Sequence, residues 1–134
     1  MVDGLLERGF VLGLISNAQF YTHPVLEAAL GLDESIFREE LCLFSYREKC
    51  AKPAARLFET MKSRLKERGV SPEEVIYFGN DLRKDILPAR NCGFRTGLFA
   101  GDQRSLRVGD RSVSEVEALC DVILTDWSQW PQVL

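Results

Sequence analysis

Val75 to Gly93 reads VIYFGNDLRKDILPARNCG, and this stretch decides the fold. Four residues, Val75 to Phe78, are apolar on both faces of an extended chain. The pattern then breaks at Gly79-Asn80-Asp81 and passes into a helix carrying Ile86, Leu87 and Pro88. A strand apolar on both faces belongs in a parallel sheet covered by helices. In open sheets of this kind ligands bind beyond the carboxyl ends of the strands, where Gly79, Asn80 and Asp81 stand.

The same grammar extends outward. Phe10–Ile15 (FVLGLI), Leu41–Ser45 (LCLFS), Thr96–Phe99 (TGLF) and Val122–Leu124 (VIL) read as further strands of this type. Between them, residues 53 to 68 put Leu57, Phe58, Met61 and Leu65 on one helical stripe, and Gly69 supplies a left-handed stop. Thr22 with Pro24 opens a helix expected to bury Val25, Leu26, Ala29 and Leu30. Ser71-Pro72-Glu73-Glu74 reads as an N-cap followed by proline and two acids, and Ser114-x-x-Glu117 as a capping box. Such β-α alternation predicts one α/β domain over residues 1–134, a Rossmann-like three-layer α/β/α arrangement with a mainly parallel sheet.

Composition agrees with a folded domain. The 134 residues are 46% hydrophobic and 28% charged, with eight Phe, three Tyr and two Trp, too much apolar material for a disordered chain. A net charge of −3 argues against a general nucleic-acid surface, because that affinity comes from neutralising phosphates with Lys and Arg. No apolar run approaches the roughly 20 residues that cross a bilayer, and Met1 to Gly9 lacks the order of a signal peptide, so the reading is a cytoplasmic protein without a membrane role. Cys42, Cys50, Cys92 and Cys120 form no Cys-x-x-Cys pair and read as core fillers. With His23 the lone histidine, a zinc site is not expected. Arg104, Arg107 and Arg111 read as solvated loop charge, and Trp127 and Trp130 as residues docking the tail on the core.

Three groups of polar residues follow strands and are expected to meet at one sheet edge. Ser16 offers a hydroxyl and, with Asn17 and Ala18, successive backbone N–H groups suited to phosphate oxygens; a plain turn is the alternative. Lys52 precedes Pro53 at a helix start, where a cation either reaches solvent or finds an anion. Asn80, Asp81 and Asp85 offer hard oxygen donors for a cation such as Mg²⁺, unless Asp85 merely caps the next helix.

At these residues the chain resembles the haloacid dehalogenase-like (HAD) hydrolases, from Gly9 to about Asp126. The strand closed by Ser16-Asn17 is similar to that family's second motif, Lys52-Pro53-Ala54-Ala55-Arg56-Leu57-Phe58 to its third, and Val75–Gly93 to its fourth. The resemblance implies phosphoryl transfer in which an aspartate attacks phosphorus, forms an aspartyl phosphate and is released by water. It implies that Ser16 binds the phosphoryl oxygens, that Lys52 offsets their charge as a catalytic group, and that Asp81 and Asp85 hold or orient Mg²⁺. It also implies a phosphorylated small-molecule substrate.

Two departures stand out. Alignment backwards from Asp85 puts Asn80 where the family usually has an acid, which leaves Asn80 and Asp81 competing for the metal. Nothing matches the family's first motif, a strand followed by Asp-x-Asp that carries the nucleophile, and the inserted cap is missing as well. The expectation is therefore the carboxyl-terminal part of a longer protein whose central first strand is absent. This chain alone would then be inactive, with unpaired sheet edges that favour self-association. A non-catalytic HAD-like binding module is the competing reading, and dehalogenation the alternative chemistry.

Overall fold

The computed structural model describes residues 2–22, 24–25, 28 and 36–134. The chain divides into two compact units, Met1–Arg64 and Leu65–Leu134.

The first unit contains α1 (Val2–Glu7), β1 (Leu12–Ser16), β2 (Phe37–Phe44), α2 (Ser45–Glu48) and most of α3 (Ala55–Glu67). β1 and β2 pair in parallel, with Leu14 opposite Cys42, Ile15 opposite Leu43 and Ser16 opposite Phe44. Ile15, Leu41, Leu43 and Phe44 are buried, as a parallel strand pair requires. β2 starts four residues earlier than the apolar run suggested, because Phe37 pairs with Leu12 ahead of a register shift, with Arg38, Glu39 and Glu40 exposed. Ser45, expected to end the strand, starts α2 instead.

α3 buries Leu57, Phe58, Met61 and Leu65, the stripe read from its 3.6-residue period. It begins at Ala55, two residues later than expected, after a turn closed by Ala54 N–H donating to the Ala51 carbonyl at 2.9 Å. Gly69 follows it at φ +74°, the stop that glycine accommodates without strain. The helix expected from Thr22 falls largely outside the described residues, as does His23; Thr22, Pro24, Val25 and Ala28 are helical, and Val25 is exposed rather than buried.

The second unit is a three-stranded parallel sheet in the order β3 (Ile76–Gly79), β4 (Arg95–Phe99), β5 (Val122–Leu124), with α4 (Leu87–Asn91) and α5 (Val113–Glu117) between strands. Its core joins Leu82, Ile86, Leu98 and Val116, with Leu106, Val108 and Leu119 packed against them. Trp127 stacks on Phe99 at 4.4 Å between ring centroids and meets Phe78 edge-on at 5.6 Å, and Trp130 is buried, so the tail docks as expected. The α/β class holds: among the described residues every strand pair is parallel, and helices lie between β3, β4 and β5.

Local signals slipped where two partners competed. The capping box of α5 is Ser112 with Glu115, not Ser114 with Glu117; Ser112 N–H donates to Glu115 Oε2 at 2.8 Å. The Ser71–Glu74 signal closes with Ser71 N–H on Glu74 Oε2 at 2.8 Å, yet it heads only a single 3₁₀ turn, Pro72–Glu74, before β3. The cysteines are free, and Cys92 alone is fully buried.

β4 is locked to the segment before β5 by Thr96, which is completely buried. Thr96 N–H and Oγ1 both donate to Asp121 Oδ2, at 2.7 and 3.1 Å, and Asp121 N–H donates back to the Thr96 carbonyl at 2.9 Å. The Thr96 backbone donor, more than any other neighbour, holds the Asp121 carboxyl below its ordinary 3.8. A carboxylate with a depressed folded pKa adds stability at neutral pH that is lost as pH falls through that pKa. Asp121→Asn is therefore expected to lower Tm at pH 7, and the gap from the wild type should close as pH falls below the ordinary 3.8 and through the depressed folded pKa. Thermal melts from pH 7 to pH 2 check this, and a gap independent of pH would refute it.

Candidate active site

In the first unit the polar groups lie at the carboxyl end of β1. Ala18, the second residue beyond the strand, is buried and tied in both directions to Ser45: its N–H donates to Ser45 Oγ and its carbonyl accepts from the same hydroxyl, each at 3.0 Å. This removes the Ala18 N–H from the anion-binding set expected from the sequence. The Ser16 hydroxyl and the Asn17 main-chain N–H remain.

Asn17 is joined to Lys52 across 35 residues of sequence. Lys52 N–H donates to Asn17 Oδ1 at 2.7 Å, and Asn17 Nδ2 donates to the Lys52 carbonyl at 3.1 Å. The structure thus brings Ser16-Asn17 and Lys52, two of the three expected segments, to one strand end. An open pocket of about 350 Å³ adjoins them, lined by Gln19, Tyr46, Lys49 and Ala51 among others.

In the second unit Asp85 is 3% exposed and lies beneath the end of β3. Its Oδ2 accepts the backbone N–H groups of Asn80 and Asp81 at 3.2 and 3.1 Å, and its Oδ1 accepts the Tyr77 hydroxyl at 3.3 Å. A Cβ built on Gly79 would stand 2.7 Å from Asp85 Oδ2, so glycine there is what admits the carboxylate. The chain from Leu82 to Ile86 forms a π turn, whose wider winding carries Asp85 inward.

Asp81, not Asp85, caps this turn, accepting Lys84 N–H on Oδ1 at 2.9 Å. Burial, with the Asp85 charge beside it, pushes the Tyr77 phenol far up, so it stays a protonated donor.

A neighbouring loop fastens the same segment. Asn80 Nδ2 donates to the Ser105 carbonyl at 2.7 Å, Arg107 N–H donates to the Asn80 carbonyl at 2.9 Å, and Leu82 N–H to the Arg107 carbonyl at 2.9 Å. The Arg107 guanidinium donates to the Arg104 and Leu106 carbonyls, each at 2.8 Å, so it braces its own loop. An aspartate at position 80 could not make the Ser105 bond, which gives the amide a structural reason.

Sequence reading missed Ser45, Tyr77 and Ser105. A hydroxyl inside the apolar run VIYF was a signal for Tyr77, whereas Ser45 at the start of α2 and Ser105 in a loop carried none.

The donor set suits a hard cation. Mg²⁺ takes oxygen ligands and keeps several waters. Asp81 Oδ2 and Asn80 Oδ1 accept no hydrogen bond from the described residues, while both Asp85 oxygens are engaged. Among the described residues no three His, Cys, Asp or Glu side chains converge as a ready-made metal cage.

Comparison with known proteins gives the arrangement its relatives. No protein-family profile matches the chain. The HAD phosphatase of Thermococcus onnurineus superposes with a TM-score of 0.73 at 20% identity, covering 98% of this chain and 54% of that one. The HAD hydrolase YfnB of Bacillus subtilis, solved with magnesium, gives 0.73 at 17% identity, covering 99% and 51%.

The fold is haloacid dehalogenase-like. An uncharacterised hydrolase of Schizosaccharomyces pombe is 36% identical to this HAD-like chain over 88 residues, 63% of it and 37% of the relative. Glyceraldehyde 3-phosphate phosphatase of Pyrococcus furiosus is 29% identical over 133 residues, 97% of the HAD-like chain and 50% of the relative. The chain thus spans half or less of the length of these two relatives.

Asp85→Asn in the HAD-like chain puts an NH₂ group among hydrogen-bond donors and is expected to cost about 1.5–3 kcal/mol in urea denaturation. Asp81→Asn keeps an oxygen for Lys84 N–H and should cost less than about 1 kcal/mol. Equal losses for the two would contradict the assignment of Asp85 as the buried anchor.

Proposed function

We propose that these residues serve a HAD-type phosphatase acting on phosphorylated small molecules, with the aspartate nucleophile supplied by sequence outside this chain. The Asn17–Lys52 pair carries the reading, since it sets a lysine beside a strand end that offers the Ser16 hydroxyl and the Asn17 main-chain N–H. Ser16 and the Asn17 N–H would hold phosphoryl oxygens, and the Lys52 ammonium would stabilise charge that builds as the phosphorus is attacked. Asp81 with Asn80 would hold Mg²⁺, and Asp85 would fix the loop that presents them. Bound there, Mg²⁺ would supply charge neutralisation for the transferring phosphoryl group. A magnesium-bound structural neighbour and relatives named as a hydrolase and a phosphatase support this reading.

The test uses the full-length protein with p-nitrophenyl phosphate and Mg²⁺. Turnover is expected to stop on chelation and return on adding Mg²⁺. Lys52→Ala and Asp81→Asn should each lower kcat/KM by about 10²–10³-fold. A full-length protein that binds phosphate but shows no turnover would favour the non-catalytic module.

A further inference from the structure

We propose that Asn17 is a positioning residue for Lys52, its carboxamide serving the Lys52 backbone rather than the substrate. This rests on the reading of Lys52 as the cation that meets the phosphoryl group. The carboxamide presents an acceptor and a donor side by side, and both meet the main chain of one residue: Lys52 N–H at 2.7 Å and the Lys52 carbonyl at 3.1 Å. Two neighbouring β-strand residues exchange bonds in the same way, but here one partner is a side chain.

The match is specific to Asn. Aspartate lacks the donor, glutamine is one carbon too long, and serine or alanine cannot span both bonds. The clamp matters because the Lys52 segment has little regular structure of its own. It lies between α2 and α3, in a turn whose local bond is Ala54 N–H to the Ala51 carbonyl at 2.9 Å, just after Lys49 at φ +52°. With the backbone anchored to the residue that follows Ser16, the side chain starts from a fixed base. Ala18 is held independently by Ser45, so the loop that carries Asn17 is itself anchored from below. The side chain thus acts through Lys52, and only the main-chain N–H of Asn17 would be left to meet the anion.

A double-mutant cycle on this chain separates positioning from direct contact, because residues that act through one another give non-additive losses. The proteins are the wild type, Asn17→Ala, Lys52→Ala and the double variant. Each is titrated with inorganic phosphate and followed by ¹H–¹⁵N NMR, which also reports folding. Lys52→Ala is expected to weaken phosphate about tenfold or more, Asn17→Ala about threefold to tenfold, and the double variant no further than Lys52→Ala alone. The amide at position 52 should be protected from hydrogen exchange in the wild type and in Lys52→Ala, and lose that protection in Asn17→Ala.

Additive losses would overturn the proposal, because Asn17 would then touch the anion itself. Unchanged protection at position 52 in Asn17→Ala would overturn it too. Wild-type phosphate affinity in Lys52→Ala defeats the reading of Lys52 as the anion's cation, even where the exchange data show the clamp to be present, so the two failures are distinguishable. Should Asn17→Ala not fold, Asn17→Ser supplies the same cycle, since its hydroxyl cannot span both bonds.

Discussion

The second unit depends on one buried carboxylate. Asp85, almost without solvent, is stable there because backbone N–H groups of Asn80 and Asp81 and the Tyr77 hydroxyl supply its hydrogen bonds. The contact shapes its surroundings in turn. It requires glycine at 79, it uses the π turn to bring the side chain inward, and it pulls the Asn80-Asp81 backbone into a tight curve at the end of β3. The loop 105–107 then fastens the outer side of that curve through Asn80 and Leu82. What stays available at the strand end is a small set of oxygen atoms on a loop held from both sides.

The first unit solves the same problem without a buried charge. Its loop after β1 is held by side-chain-to-backbone bonds, Ser45 on Ala18 and Asn17 on Lys52. Neutral bonds of this kind contribute only about 0.5–1.5 kcal/mol each, so they define geometry more than stability. That division suits a ligand-binding edge, where precise backbone placement matters and a rigid apolar core lies behind it. Leu57 and Phe58 on α3 and Leu43 and Phe44 on β2 provide that core.

Legibility in the sequence followed the range of the interaction. Strands apolar on both faces and the α3 stripe of Leu57, Phe58, Met61 and Leu65 were visible because burial repeats with the period of the element. Caps were visible only in part: serines at 112 and 114 and acids at 115 and 117 offer two boxes two residues apart, and packing of Val116 into the core selects the first. Asp85 read as a metal-site acid or as a cap, because an acid ahead of Ile86, Leu87 and Pro88 commonly caps a helix. The structure gives that role to Asp81 and buries Asp85 instead.

By itself the sequence determined the α/β class, the parallel strands and the polar residues at their carboxyl ends, since these follow from hydrophobic periodicity and turn chemistry local to each segment. Only the tertiary structure decided which partners those residues bond to. Whether Asn17 faces a ligand or Lys52, whether Ala18 keeps a free N–H, and whether Asn80 is a degraded acid or a donor to Ser105 each depend on a partner 25 to 35 residues away. Hydrogen bonds are short and directional, and nothing in a linear pattern states which donor will meet which acceptor once the chain has closed.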